Sequence, residues 1–348
     1  MITLKEVAKA AGVNPSTVSR ALSGDKRVKE KTRKMVEKLA AELNYTPNFM
    51  AKALSGKRTH LVGLIVPEIS SNYYAQIIEF IETALKGKGY SLIIGTTGWN
   101  ADRGMKNVDL FIGRKVDGII YADQLSPEMG NIFRQEKKYS DFPVVTIGSA
   151  DRSHDVEIVT VDEGYGISLL VNHLVSLGHQ TFGFIGEHLS SGIRLPLFIR
   201  ALAQAGLSFH PNHIKSGKER FEAGGYLRMK ELLAEDDRPT AVLASYDYLA
   251  IGAMKAAHEA GLQVPEHISI VGFDNVRESE YLLTPLTTVY PPIKDMTQRA
   301  IDILIEKIEQ DSTRLRPPAT TTVYPQLVIR QSSSAPAPAT FTSSPRHS

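Results

Sequence analysis

The stretch TLKEVAKAAGVNPSTVSRALSG, residues 3–24, limits what this chain can become more than any other. It holds two short amphipathic segments, and neither can bury its apolar face alone. Thr3 with Glu6 forms a capping box, and Leu4, Val7 and Ala8 recur at helical spacing behind it. Gly12 marks the turn. Asn14 followed by Pro15 is a cap and a residue pre-set for the first helical position, so a second helix is expected from Pro15 to about Leu22, stopped at Gly24. Val18, Ala21 and Leu22 then face inward, while Pro15, Ser16, Ser19 and Arg20 face out. Two helices on a tight Gly-containing turn need a third to complete their core. VKEKTRKMVEKLAAELNY supplies it, with Met35, Val36, Leu39, Ala40 and Leu43 on one face and Lys31, Arg33, Lys34, Glu37 and Lys38 on the other.

Any small three-helix bundle would read this way, but charge argues for a specific partner. Residues 1–60 hold 13 Lys and Arg against 5 Asp and Glu, a net of +8 in a chain whose total is +2. A basic head on a mildly acidic body is the footprint of a phosphate-binding module joined to a sensing or catalytic one. A helix fits the major groove, and arginine can pair bidentately with guanine O6 and N7. The candidate DNA contacts of the head are therefore Pro15, Ser16, Thr17, Ser19 and Arg20.

Next comes NYTPNFMAKALSGKRTHLVG. Pro47 ends what precedes it, and residues 48–54 could form only about two helical turns, too short to persist alone in water. Phe49, Met50, Ala51, Ala53 and Leu54 are oddly apolar for a linker. Lys52, Lys57 and Arg58 would meet phosphate if the segment lay on DNA; a short helix packed on the body is the alternative.

Taken with VGLIVPEISSNYYAQIIEFIE, these stretches resemble the lactose repressor family of bacterial transcription regulators, over residues 2 to about 331. The resemblance implies a hinge helix between head and body that folds when a dimer binds its operator, with Asn48 among its DNA contacts. It also implies an apolar wedge in the minor groove, which is Leu54 here. Lys52 stands where the family more often has arginine, and lysine lacks the guanidinium fork.

The body reads independently as strands alternating with helices. LVGLIVP, SLIIGTT, VDGIIYA, PVVTIGS, IVTVD, TFGFIG, TAVLASY, SIVGFD and TTVYP are mostly continuous apolar runs, the pattern of parallel strands covered on both faces. So many strands suit two doubly wound lobes, with a cleft where strand carboxyl ends face one another. The resemblance implies the same, a periplasmic-binding-protein-like body. The expected organisation is an all-α helix-turn-helix head at 1–46, a hinge and linker at 47–60, and an α/β body at 61–331. Its lobes lie at about 61–160 and 161–290 with strand exchange, and a disordered tail occupies 332–348.

Loops after strands carry ligands in such sheets, which points to Asp123, Tyr246 and Asp274. The resemblance adds Arg194, Asp274, Tyr73 and Tyr74 as effector contacts. An Asp and an Arg across a cleft suit a ligand bearing hydroxyls or a carboxylate; a lobe salt bridge is the plainer role for Arg194. Asp247 is expected to cap the helix starting at Tyr248, and Trp99, which could stack on a sugar ring, to pack under a loop. Tyr246 replaces an asparagine common in the family, and Leu197 with Phe198 a Gly-Phe pair, so no relative's sugar can be carried over.

There is no Walker loop, dinucleotide Gly fingerprint or Gly-x-Ser-x-Gly elbow, and HEAGL at 258–262 lacks the second His of a zinc protease. Without cysteine the chain has no disulfides and no thiolate metal site. No cofactor or metal is expected, nor an enzyme. No run approaches the ~18 apolar residues of a spanning helix and no signal segment is evident, so no membrane association and a cytoplasmic location are expected. The final SSSAPAPATFTSSPRHS is too poor in apolar residues to order itself. It lacks the leucine heptads of tetrameric relatives, so a homodimer is expected. The reading is a ligand-controlled regulator, a repressor of carbohydrate uptake or catabolism genes, with operator DNA and a sugar or sugar derivative as partners. The alternatives are a transport-type sugar-binding protein and a corepressor-dependent regulator of purine-like metabolism.

Overall fold

The computed structural model describes residues 2–22, 25, 27–45, 58–122, 139, 142–148, 156–309 and 318–337. The chain divides into two compact units, Met1–Thr59 and His60–Ser348.

In the first unit α1 is Leu4–Ala11, α2 Pro15–Leu22 and α3 Glu30–Glu42. The capping box forms: Thr3 N donates to Glu6 Oε2 at 2.6 Å and Glu6 N to Thr3 Oγ1 at 3.4 Å. Gly12, at φ 63°, closes α1 in the left-handed conformation that costs glycine no Cβ clash. Val7, Ala8, Ala11, Val18, Ala21, Val28, Val36 and Ala40 make the core. Met35, expected inside, is 39% exposed. Arg33, expected outside, is half-buried because its guanidinium donates to Asp25 O at 2.9 Å.

In the second unit the strands are β1 Leu61–Val66, β2 Ser91–Thr96, β3 Gly118–Tyr121, β4 Val144–Ile147, β5 Glu157–Val161, β6 Phe182–Glu187, β7 Ile214–Gly217, β8 Ala241–Ala244, β9 Ser269–Val271, β10 Thr288–Tyr290, β11 Thr320–Val323 and β12 Gln326–Val328. The helices are α4 Asn72–Gly87, α5 Ala101–Gly113, α6 Glu163–Ser176, α7 His188–Gln204, α8 Phe221–Leu233, α9 Asp247–Glu259 and α10 Ile293–Glu309. One sheet runs β11-β5-β4-β3-β1-β2, and a second runs β7-β6-β8-β9. All their pairings are parallel. β10 and β12 pair antiparallel.

Alternation along each strand explains why these runs are apolar throughout. In the first sheet Leu64, Ile120, Val145 and Val159 enter one core with α4 and α10. Their neighbours Ile65, Ile119, Val144 and Ile158 enter another with α5. The second sheet divides likewise, Val242 and Ile270 against α8 and α9, Leu243 and Val271 against α6 and α7. These are the two parallel-sheet lobes expected. The chain passes between them after β5, after β10 and between β11 and β12, so α10 and β11, far along the sequence, belong to the first lobe.

Two local expectations need correction. α9 starts at Asp247, not Tyr248, and Asp247 does not cap it. Its buried carboxylate instead accepts from Thr288 Oγ1 at 2.5 Å and Val276 N at 2.8 Å. Burial pushes its pKa well above the usual carboxylate range. Nor is residue 332 the start of a loose tail. Ser332 is fully buried, its Oγ donating to Ile270 O at 2.5 Å and accepting from Thr287 N at 2.8 Å. Ser334 O accepts from His179 Nε2 at 2.9 Å. The segment is ordered by main-chain and hydroxyl hydrogen bonds to the second lobe, which a composition-based reading cannot register. Residues 338–348 lie outside the described residues.

Candidate functional site

In the first unit α2 presents the face read from sequence. Pro15, Ser16 and Arg20 are exposed, Thr17 and Ser19 half-exposed, and Val18 and Ala21 buried. Asp25 is forked by Arg27, at 2.7 Å for the closest contact, and the charge of Arg20 also acts on it. Those hydrogen bonds from Arg27 hold the Asp25 carboxyl well below the usual range. Asn48, Lys52, Leu54 and Lys57 lie outside the described residues; Arg58 is exposed.

In the second unit the carboxyl ends of both sheets face a cavity of about 160 Å³. At roughly 10 to 15 Å³ for each water-sized position, it has room for about 11 to 16 such positions, enough for a single substituted ring. From the first lobe come Glu68, Tyr73, Tyr74 and Trp99; from the second, Glu163, Arg194, Arg220, Phe221, Tyr246, Tyr248 and Asp274.

Local structure fixes each group. Ser71 caps α4, accepting from Tyr74 N at 3.4 Å, which sets Tyr73 and Tyr74 in the first turn with their rings edge to face at 5.1 Å. Glu163 opens α6. Arg194, on α7, donates through Nη2 to Glu163 Oε1 at 3.2 Å and to Asp274 Oδ1 at 3.4 Å. Its Nη1 donates to Ser245 O, and the guanidinium lies 4.0 Å over the Phe273 ring. Asp274 stands at φ 105° and Asn275 at φ 48°, left-handed backbone of the kind that concentrates at binding sites. Tyr246 Oη accepts from Phe221 N at 3.0 Å, tying α8 to the loop after β8.

Burial dominates the electrostatics. It pushes the Asp274 carboxyl up to about 6, with Arg194 opposing and Glu163 adding to the rise. It lifts the Tyr246 phenol to about 12 and the Tyr73 phenol higher still. Three buried atoms in the lining have no hydrogen-bond partner among the described residues: Trp99 Nε1, Arg220 Nε and Glu163 Oε2. Buried polar groups are costly unless satisfied, so two donors and one acceptor are available to an occupant.

The structure thus brings together Tyr73, Tyr74, Arg194, Tyr246 and Asp274, while Asp123 lies outside the described residues. Trp99, expected under a loop, lines the cavity instead. At φ 62° it turns its ring to within 5.9 Å of Tyr74. Sequence reasoning missed Glu68, Glu163, Arg220, Phe221 and Tyr248. Glu163 follows β5 and obeyed the same strand-end rule that found Asp274. Arg220 and Phe221 follow β7, whose sequence IKSG carries no strand signal.

Residues 3–48 match the family described as bacterial regulatory proteins, lacI family, and residues 171–333 the periplasmic binding protein-like domain. The HTH-type transcriptional repressor PurR of Pasteurella multocida (strain Pm70) is 33% identical over 340 residues, covering 95% of this chain and 98% of that one. Catabolite control protein A of Priestia megaterium is 31% identical, covering 89% and 94%. Among solved structures, the lac repressor dimer bound to operator and the anti-inducer ONPF superposes with TM-score 0.85 at 27% identity, covering 96% and 99%. The transcriptional regulator CelR in complex with cellobiose does so with TM-score 0.69 at 25% identity, covering 95% and 100%.

Proposed function

The chain belongs to the lacI family of bacterial regulatory proteins and is a ligand-responsive DNA-binding repressor, and from that premise we propose how its own residues serve the role. Arg20 reads a guanine in each half-site of a pseudo-palindromic operator, with Pro15, Ser16, Thr17 and Ser19 against neighbouring base edges. A homodimer pairs two hinge segments, residues 47–60, on the operator. Leu54 wedges a central base step, while Asn48, Lys52, Lys57 and Arg58 hold the backbone. No described helix is long and apolar enough to cross a membrane.

The effector is a sugar in the cleft between the lobes. One observation carries this: Arg194 is shared by Glu163 and Asp274, leaving Glu163 Oε2 buried and unpartnered beside Tyr73 and Tyr74. Carboxylates held by an arginine accept from hydroxyls, and aromatic rings cover the apolar faces of a sugar. A relative solved with cellobiose supports this ligand class. A nucleobase corepressor is the second reading, supported by the flat Tyr74 and Phe221 that line the cavity from opposite lobes. A thermal-shift screen of neutral sugars, sugar phosphates, sugar acids and nucleobases tests both, followed by operator gel shift with each hit. Asp274→Ala should abolish the response to the hit while leaving operator binding in place. An unchanged response would remove the cleft from consideration.

A further inference from the structure

The mouth of the cleft is crossed by an ion pair that joins the lobes. Glu68 lies in the loop after β1, and Arg220 is the residue before α8. Arg220 Nη1 and Nη2 donate to Glu68 Oε2 and Oε1 at 2.7 and 2.8 Å. The guanidinium also lies 5.1 Å from the Trp99 ring, on the first lobe, and 4.5 Å from the Phe221 ring, on its own lobe. Ser70 Oγ donates to Glu68 Oε2 at 3.2 Å, steadying the carboxylate.

This arrangement has a mechanical and a chemical consequence. Separating the lobes breaks the fork and the Trp99 contact together, since the two partners of Arg220 sit on the same lobe. A planar fork on a carboxylate, with aromatic faces against it, is a geometry that arginine satisfies and lysine does not. Chemically, the fork is already engaged. Arg194 is engaged too, by Glu163, Asp274 and Ser245 O. The remaining acid of the lining, Glu187 at the end of β6, accepts from Leu189 N and Ser190 N of α7, which it caps, and adds negative charge. Glu68 holds both Nη atoms of Arg220 and Arg194 is held by two carboxylates, so an anion would meet only the Nε edge of Arg220, beside a standing negative charge.

We propose that Arg220 is the positioning residue that holds the cleft closed around an uncharged ring, and that Glu68, by occupying the arginine fork, excludes phosphorylated or carboxylated forms of that ring. The proposal rests on the cleft being the effector site, and it narrows that site to neutral sugars.

The chain contains one tryptophan, and it is Trp99. Intrinsic fluorescence of the free, full-length protein therefore reads this contact without any label or effector. Glu68→Gln removes the ion pair without touching the indole. It should shift the closed-to-open ratio about tenfold, the size of change expected when one partner of a partly buried charged hydrogen bond is lost. The readouts are a red shift of Trp99 emission and greater acrylamide quenching. Arg220→Lys should behave similarly, and Glu68→Arg/Arg220→Glu should recover protection. Circular dichroism verifies that each variant is folded. Inorganic phosphate is the second probe: it should leave wild-type emission unchanged and produce a saturable change in Glu68→Gln, lost again in Glu68→Gln/Arg220→Gln. Wild-type quenching in Glu68→Gln, or phosphate binding by the wild type that disappears in Arg220→Gln, overturns the proposal. Quenching needs no effector, so its failure leaves the effector site standing, and a failed sugar screen leaves the quenching result intact.

Discussion

Asp274→Asn should change the stability of the body in a pH-dependent way whose sign follows from burial. Folding raises the Asp274 carboxyl from the usual 3.8 to about 6. A group raised on folding binds protons more tightly in the native state. Its stabilisation is therefore fully present below pH 3.8 and is lost as pH rises through about 6. A shift of about two pH units corresponds to about 3 kcal/mol. Asparagine has no proton to lose and so escapes that loss. The wild-type protein should thus lose about 2–3 kcal/mol relative to Asp274→Asn between pH 4 and pH 7. The value of about 6 already contains the opposing pull of Arg194, which pairs with the ionised Asp274 at 3.4 Å. Urea denaturation of both proteins at half-unit intervals from pH 4 to 8 measures the difference, with the transition of the body followed by far-ultraviolet dichroism. Parallel stability curves across that window would refute the reasoning, since they would mean that the carboxyl titrates alike folded and unfolded.

Arg20→Ala should cost about 1–3 kcal/mol on the preferred operator and relax selection at one position, measured by gel shift against single-base variants; equal loss on every DNA would refute base reading. Leu54→Ala should leave the head folded and the protein dimeric while weakening operator binding and reducing the bend seen by circular-permutation gel shift. Deleting residues 338–348 should leave melting of the body unchanged. Truncation after Gln331 removes the Ser332 and Ser334 hydrogen bonds and should cost about 2–4 kcal/mol by chemical denaturation.

Much of this architecture is legible in single residues because local and long-range requirements coincide there. Thr3, Glu6, Gly12 and Pro15 each satisfy a neighbour within a few positions, so the head can be read from its start. Eight of the nine strands read from sequence are parallel ones, and a parallel strand covered on both faces is largely apolar, as Leu64 and Ile65 illustrate; the ninth, β10, pairs antiparallel. β7, β11 and β12 are not visible. IKSG and TTTV lie at sheet edges and are mostly only half-buried, so polar residues cost little there. The cleft follows the same division. Asp274 and Tyr246 end conspicuous strands, whereas Arg220 follows an inconspicuous one. The pairing of Arg220 with Glu68 spans 152 residues, a distance no periodicity crosses.

The strength of that pairing decides whether the cleft can act as a switch. An effector moves a two-state equilibrium only by the difference between its affinities for the two states, and coupling between sites in proteins is typically about 1–3 kcal/mol. Three chain crossings join the lobes, and each lobe keeps a core of its own. The free energy separating open from closed is then set by what bridges the mouth. Glu68 and Arg220 keep 15% and 27% of their side-chain surface exposed, so solvent screens the pair and its worth is about 1 kcal/mol or slightly more. A fully buried clasp of several kcal/mol would hold the lobes shut whatever the cleft contained. An exposed one of a few tenths would leave them open until an effector supplied all of the closing free energy. A clasp of intermediate strength lies within reach of a single small ring, so under the proposed role the partial burial of Arg220 between Trp99 and Phe221 would set the response.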